Sequence, residues 1–367
     1  MKRNSTIECI RVLAIFSVVF VHVQNLGMPY SLPAMFIGHL RFAVVFFMVI
    51  AGYQWGKKLR AGRAIGHVYA PYSFRILRTF VLWSLVYLII PRNIQEISQY
   101  MQIISHNGAL SLLKIPYWRL LDLAGEQGSP LHGVLYIFST GTKYHLWFLT
   151  SLVWASTIAA MLVKWRRESW LMWIGIGFYV SGVLLEVSPL SFNMRYGPFF
   201  GTIFFAIGWR LSSHRGAFTL KPAVALLSGG LAVHVIELLF LQKHAGFTAV
   251  QYFVESTIGV GCVWLALARP SLGAGSHLAS WGQYVLGIYL IHPLFIDFFR
   301  PSAGYIPSHV RDLAFPAIVF LFSACAVFIL QKIDVLKPFV AASRTRERRG
   351  QGITLQAGLQ PAPADGK

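Results

Sequence analysis

Apolar runs recur along the whole chain, and short polar stretches separate them. Because a membrane-spanning helix needs roughly 20 predominantly apolar residues, each run predicts one span. The pattern predicts an all-α integral membrane protein with about ten transmembrane helices, within one membrane domain over residues 1–340. The predicted spans are 7–26, 34–56, 72–91, 144–163, 169–186, 196–212, 222–241, 250–268, 281–299 and 312–331.

The composition agrees with a bilayer environment. Hydrophobic residues make up 56% of the chain and charged residues only 12%, with a mean hydropathy of +0.58. The net charge of +19 could indicate a nucleic-acid partner. In a membrane protein, however, an excess of lysine and arginine on cytoplasmic loops is the better explanation, so no nucleic-acid partner is expected.

The distribution of basic residues predicts the orientation in the membrane. An even number of spans puts both termini on one side, and about two thirds of the 32 lysines and arginines lie there. The termini are therefore expected in the cytoplasm. Residues 92–143 then form a long outer loop, in which residues 110–123, with Trp118 and Arg119, predict an interfacial helix. Residues 341–367 predict a disordered, basic cytoplasmic tail.

Two ionisable side chains interrupt the first apolar run. Arg11 and His22 are eleven positions apart, which is about 20° past three full helical turns, so both lie on one helix face. Glu8 precedes Arg11 by three residues and can pair with it. Ionisable groups at membrane depth are costly, which favours a functional role. A packing histidine and a snorkelling arginine are the structural alternatives.

Two more histidines fall at a similar predicted depth. His145 opens the fourth span and His292 lies in the ninth, so three imidazoles could form a proton-handling site. No carboxylate or cysteine is expected to converge with them, and a metal site is therefore not predicted. The three cysteines all lie in apolar runs and indicate no disulfide framework.

Three arginines in the second and third predicted spans are candidates for ligand binding. Arg75 and Arg78 lie three positions apart at the start of the third span, and two neighbouring guanidinium groups suit phosphate recognition. The preceding basic stretch, Lys57 to Arg63, is better explained by topology. Arg41 could snorkel at the outer interface or hold an anionic or sugar acceptor.

Five sequence blocks together resemble the multi-pass membrane acyltransferases called acyltransferase family 3. The chain departs from the family's usual pattern at three positions. Ala51 and Val285 stand where serine is common, and Val12 stands where glycine is frequent. The blocks are Glu8-Arg11-His22, Arg41 with Phe46-Phe47 to Ala51-Gly52-Tyr53, Arg75-Ile-Leu-Arg78, His145-Leu-Trp-Phe-Leu149, and Gly287-Ile-Tyr289-Leu-Ile-His292-Pro293.

The resemblance implies O-acylation, usually O-acetylation, of a surface glycan, a glycolipid or another glycoside. The donor would be acyl-CoA, with acetyl-CoA expected, and no permanently bound cofactor is implied. His22 would be a general base or a transient acyl carrier, supported by Arg11 and Glu8. The remaining expected roles are catalysis for His145 and His292, donor binding for Arg75, Arg78 and Arg11, and substrate binding for Arg41, Trp147 and Tyr289.

The same residues leave a second function open. A transporter or flippase for a glycolipid could use Arg11 and His22 as a coupling relay. The arginine pair favours the enzyme, since a transporter has no evident need for a phosphate fork. The expected location is the cytoplasmic (inner) membrane of a bacterium. The acceptor, the acyl chain length and the oligomeric state remain open.

Overall fold

The computed structural model describes residues 4–24, 41–125, 130–188, 193–241 and 249–340. These residues form helices joined by turns, with no strand among them. Two short 3-10 helices, Ala109–Lys114 and Tyr144–Leu146, accompany the α-helices. The α-helices are α1 Ser5–Gln24, α2 Phe42–Arg60, α3 Ile65–Ile89, α4 Ile94–Asn107, α5 Ile115–Gly125, α6 Pro130–Thr140, α7 Trp147–Lys164, α8 Trp170–Val187, α9 Gly201–Ser212, α10 Leu220–Leu241, α11 Ala249–Ala268, α12 His277–Trp281, α13 Val285–Ala303, α14 Ser308–Leu330 and α15 Lys337–Val340.

The all-helical prediction is confirmed for the described residues, and each of the ten predicted spans overlaps a helix. Two shorter apolar helices cover Leu220–Ile236 and Val254–Ala268. The count of ten spans and the cytoplasmic termini stay predictions. Five helices in the described part of the chain have the length and the apolar composition to cross a membrane: Ser5–Val23, Ile65–Ile89, Tyr144–Lys164, Trp170–Val187 and Val310–Leu330.

Helix α1 lies in the middle of the helix assembly. It packs against α2, α11, α12, α13 and α14, and 72% of its most apolar stretch is buried inside the protein. Helix α8 is also apolar, but only 17% of its apolar stretch is buried, and Trp173, Val180 and Leu184 are exposed. An exposed apolar surface of this kind suits lipid tails. The central position of α1 places Arg11 and His22 inside the protein.

Glycines allow α2 and α9 to pack closely. A Cβ atom at Gly208 of α9 would clash with the carbonyl oxygen of Val49, and one at Gly52 of α2 would clash with that of Phe205. Small residues are typical of helix crossings in membranes because they let two backbones approach each other. Gly52 also belongs to the second sequence block, which gives this block a packing role.

We expect Gly208→Ala to destabilise the fold, because the added methyl group meets backbone atoms that cannot rotate away. Overpacking of this kind costs about 1–3 kcal/mol or more. Gly177→Ala in α8 is the matched control, since a Cβ there meets no atom within 4 Å. Thermal unfolding of the purified proteins in detergent measures both. Equal melting temperatures for the two variants would contradict the close approach of α2 and α9.

The predicted outer loop contains more structure than one interfacial helix. The stretch predicted as that helix, 110–123, falls within the 3-10 helix Ala109–Lys114 and α5, and α4 and α6 flank it. Buried Arg119 donates hydrogen bonds to the carbonyl oxygens of Tyr87 (3.0 Å) and Ile90 (2.8 Å) and pairs with Glu96. These contacts tie the loop to the end of α3. Its position at a membrane surface stays a prediction, and the predicted tail, 341–367, lies outside the described residues.

Candidate active site

An internal cavity of about 550 Å³ runs between α1, α2, α3, α7 and α13. Its middle is apolar, with Val18, Val44 and Phe47 among the lining side chains. Most of the polar candidates predicted from the sequence also line it, namely Glu8, Arg11, His22, Arg75, His145, Trp147 and Tyr289. The cavity therefore connects a charged end, near the start of α1, with a histidine-rich end near its last turn.

The charged end contains the predicted Glu8–Arg11 pair. The Nη1 atom of Arg11 lies 3.4 Å from Oε1 of Glu8, which confirms the pairing expected from their spacing. Gly282, just after α12, faces the Glu8 carboxylate so closely that a Cβ there would clash with it. The Arg11 side chain is 28% exposed and Glu8 only 11%. Arg11 thus keeps a partly open guanidinium group at the cavity wall.

Arg75 adds a second positive charge to this end, and the neighbouring α2 terminus adds another. Partial burial, followed by the charges of Arg75 and Arg63, lowers the pKa of the Lys58 ammonium. Lys58 is therefore close to Arg75, although its side chain does not line the cavity. Arg78, by contrast, is exposed and does not line the cavity.

Three histidines meet at the other end of the cavity. The ring centroid of His292 lies 5.3 Å from that of His22 and 5.4 Å from that of His145. The Nδ1 atom of His292 lies 2.8 Å from the carbonyl oxygen of Tyr289 and 3.1 Å from that of Ile288, so this nitrogen carries the proton as donor. The convergence expected from their predicted depth is therefore confirmed.

Nitrogen atoms of this cluster lack hydrogen-bond partners among the described residues. They are Nδ1 of His22, both ring nitrogens of His145, and Nε2 of His292. Buried polar atoms are nearly always satisfied, so unsatisfied nitrogens beside a cavity indicate a ligand position. Tyr289 borders the cluster and donates its hydroxyl proton to the backbone oxygen of His145.

A second cavity of about 480 Å³ lies beyond His22, toward the last residues of α3 and α13. Its lining is polar and charged and includes Lys143, Tyr144 and Asp297. The ring centroids of His22 and Tyr144 lie 4.8 Å apart. Of the residues that the structure describes, His22 alone lines both cavities. A group on His22 can thus face two different compartments of the protein.

The family model for an acyltransferase domain, that of acyltransferase family 3, matches residues 4–331. The chain belongs to this family. No curated protein and no solved structure matches it. An acyltransferase family favours acyl transfer over the transporter or flippase alternative, and the apolar helices agree with a multi-pass membrane acyltransferase.

Besides Arg78, two other predicted site residues of the acyltransferase, Arg41 and His292, line neither cavity. Arg41 stands just before α2, and its charge acts on His22. His292 belongs to the histidine cluster, where its ring lies beside those of His22 and His145. No group of three or more His, Cys, Asp or Glu side chains within the described ranges is placed to hold a metal ion.

Sequence patterns missed several residues that this acyltransferase brings to its site. The α12–α13 connection contributes Gly282 and Gln283 to the first cavity. Lys58, attributed to topology from the sequence alone, lies near Arg75. Lys143 and Asp297, which form an ion pair in the second cavity, are more than 150 positions apart. The sequence signal that could have marked Lys143 and Asp297 is a charged residue next to, or within, a long apolar run.

Proposed function

We propose that this acyltransferase moves an acyl group, with acetyl as the expected group, from acyl-CoA to a hydroxyl of a surface glycan, glycolipid or other glycoside. The observation that carries the proposal is that His22 lines both cavities. One cavity has the charge and shape for the donor, and the other is polar enough for a hydroxylated acceptor. The proposed location is the inner membrane of a bacterium.

The donor would enter from the charged end of the first cavity, which is the cytoplasmic end in the predicted topology. Its phosphate groups would contact Arg75 and Lys58, because charge-assisted contacts to phosphate are strong and directional. The pantetheine arm would then follow the apolar middle past Phe47. Arg11 and His22 are separated by roughly 16 Å along α1, which gives the arm a path of suitable length.

In this proposal His22 acts as the general base. Its imidazole takes the proton of the acceptor hydroxyl, and the oxygen attacks the thioester carbonyl. The carbon–sulfur bond then breaks, and the proton passes from the imidazolium to the departing CoA thiolate. His145 and Tyr289 would hold the thioester end in place. A transient acyl group on His22 is the alternative route.

We expect cells that lack this acyltransferase to lose one type of acyl group from their surface glycans. Mass spectrometry of purified glycans and glycolipids, from cells with and without the gene, measures this. The expected difference is the mass of one acetyl group per modified sugar, restored by the wild-type gene but not by His22→Ala. Identical glycan masses, together with an inability of the purified protein to bind CoA, would overturn the proposal.

A further inference from the structure

The second cavity contains more charged groups than a neutral sugar needs. Cations lining it are Arg92, Lys143 and Arg300, and acids are Glu96 and Asp297. These residues come from the loop after α3, from α4, from the stretch before α7 and from α13. Its volume, about 480 Å³, lies in the range typical of small-molecule sites.

Both acids in this cavity already have cationic partners. Lys143 pairs with Asp297, and the two side chains are each only 16% exposed. Glu96 serves two arginines, since Arg92 Nε lies 3.7 Å from its Oε1 and Arg119 also pairs with it. The carboxylates are thus neutralised by residues around the cavity.

Arg300 differs from the other two cations. It lines the cavity near the end of α13, is exposed, and forms no ion pair with any residue in the described part of the chain. Arg119, from outside the cavity wall, shares Glu96, so the cavity as a whole keeps an excess of positive charge. A planar guanidinium group that has no acidic partner among the described residues suits a carboxylate or a phosphate.

We propose that the second cavity is the acceptor site, and that the acceptor is a sugar with an anionic group, a carboxylate or a phosphate, bound by Arg300. Arg92 would contribute from the same rim. The acceptor hydroxyl would lie at the other end of the cavity, beside the adjacent rings of His22 and Tyr144, which both line it. The catalytic part of this inference rests on the proposed function, but the preference for anionic sugars does not.

The preference can be measured without any acyl transfer. Saturation-transfer NMR on the full-length protein, in nanodiscs of zwitterionic lipid, gives the affinities of methyl glucuronide, glucose 6-phosphate and methyl glucoside. We expect at least one anionic sugar to bind about tenfold more tightly than the glucoside. The glucuronide and the phosphate arms identify which anion is preferred.

Variants show whether Arg300 causes the preference. We expect Arg300→Gln to reduce the affinity for the preferred anionic sugar about five- to tenfold and to leave the glucoside unchanged, since a partly exposed charged contact is weaker than a buried one. Lys114→Gln removes one exposed charge from the neighbouring 3-10 helix and should retain the preference.

Two results would overturn the inference: equal binding of the anionic and neutral sugars, or an unchanged preference in Arg300→Gln. CoA binding, measured on the same samples, separates this from the proposed function. A wild-type protein that binds the glucuronide but not CoA would sink the proposed function and leave the anion site standing. A protein that binds CoA without preferring anionic sugars would overturn the anion site and leave the proposed function standing.

Discussion

Replacing His22 with alanine should lower acyl transfer by about 10²- to 10⁴-fold while CoA binding stays near the wild-type value. Loss of a general base typically has this effect on the rate. His22 alone among the described residues lines both cavities, which places it to contact the proposed donor and the proposed acceptor together. Arg75 lines the opposite end of the first cavity, with Lys58 near it, which is why donor binding should survive.

Product formation by the purified variant at saturating acetyl-CoA measures this effect. His67→Ala is the matched control, because His67 is exposed and lines neither cavity. His145→Ala and His292→Ala should give partial losses, since both rings belong to the histidine cluster but do not line the second cavity. Near-normal turnover of the His22 variant would rule out its assignment, and His145 would become the next candidate.

Replacing Arg75 with alanine should weaken CoA binding about tenfold or more. A charge-assisted hydrogen bond contributes about 1.5–3 kcal/mol, and Arg75 is the cavity-lining arginine of its block. Arg75→Lys should restore only part of the affinity, because the lysine has no planar fork. Isothermal titration with CoA, in detergent, measures both variants.

Two further arginines serve as controls for this effect. Arg215→Ala removes an exposed charge after α9 and should leave CoA binding unchanged. Arg78→Ala tests the arginine pair predicted from the sequence, since Arg78 is exposed and outside the cavity wall. If Arg215→Ala weakens binding as much as Arg75→Ala, the charged end is a diffuse basic field and not a donor site.

Helix periodicity predicted the part of the site that lies on one helix. The 3.6-residue repeat was sufficient to put Arg11 and His22 on one face and Glu8 beside Arg11, and the structure confirms both. Predicted depth was sufficient to bring His145 and His292 toward His22. These relations depend only on local geometry or on distance from the membrane surface.

Contacts between distant segments could not be predicted in the same way. The pairing of Lys143 with Asp297, and the position of Arg300 beside them, depend on how α13 packs against the start of α7. The separation of Arg75 from Arg78 also required the structure. Three positions correspond to a 60° difference around a helix, which is enough to put one side chain in a cavity and the other outside.

The predicted outer loop shows another limit of sequence patterns. The sequence predicted one interfacial stretch, at 110–123, and made no prediction for α4 and α6 on either side of it, although α4 is itself amphipathic. What fixes this region is the buried Arg119, whose hydrogen bonds go to carbonyl groups at the end of α3. A buried arginine bound to carbonyl groups leaves no periodic signal in the sequence.

In the proposed reaction an acyl group passes at His22 from a donor cavity, open to one face of the membrane, to an acceptor cavity on the other side. The most direct test adds labelled acetyl-CoA to sealed membrane vesicles of known orientation. Inverted vesicles, which expose the cytoplasmic face, should label the enclosed glycan material, and His22→Ala vesicles should not. Right-side-out vesicles should label only after permeabilisation. Equal labelling of both intact vesicle types, or labelling of right-side-out vesicles alone, would contradict the account.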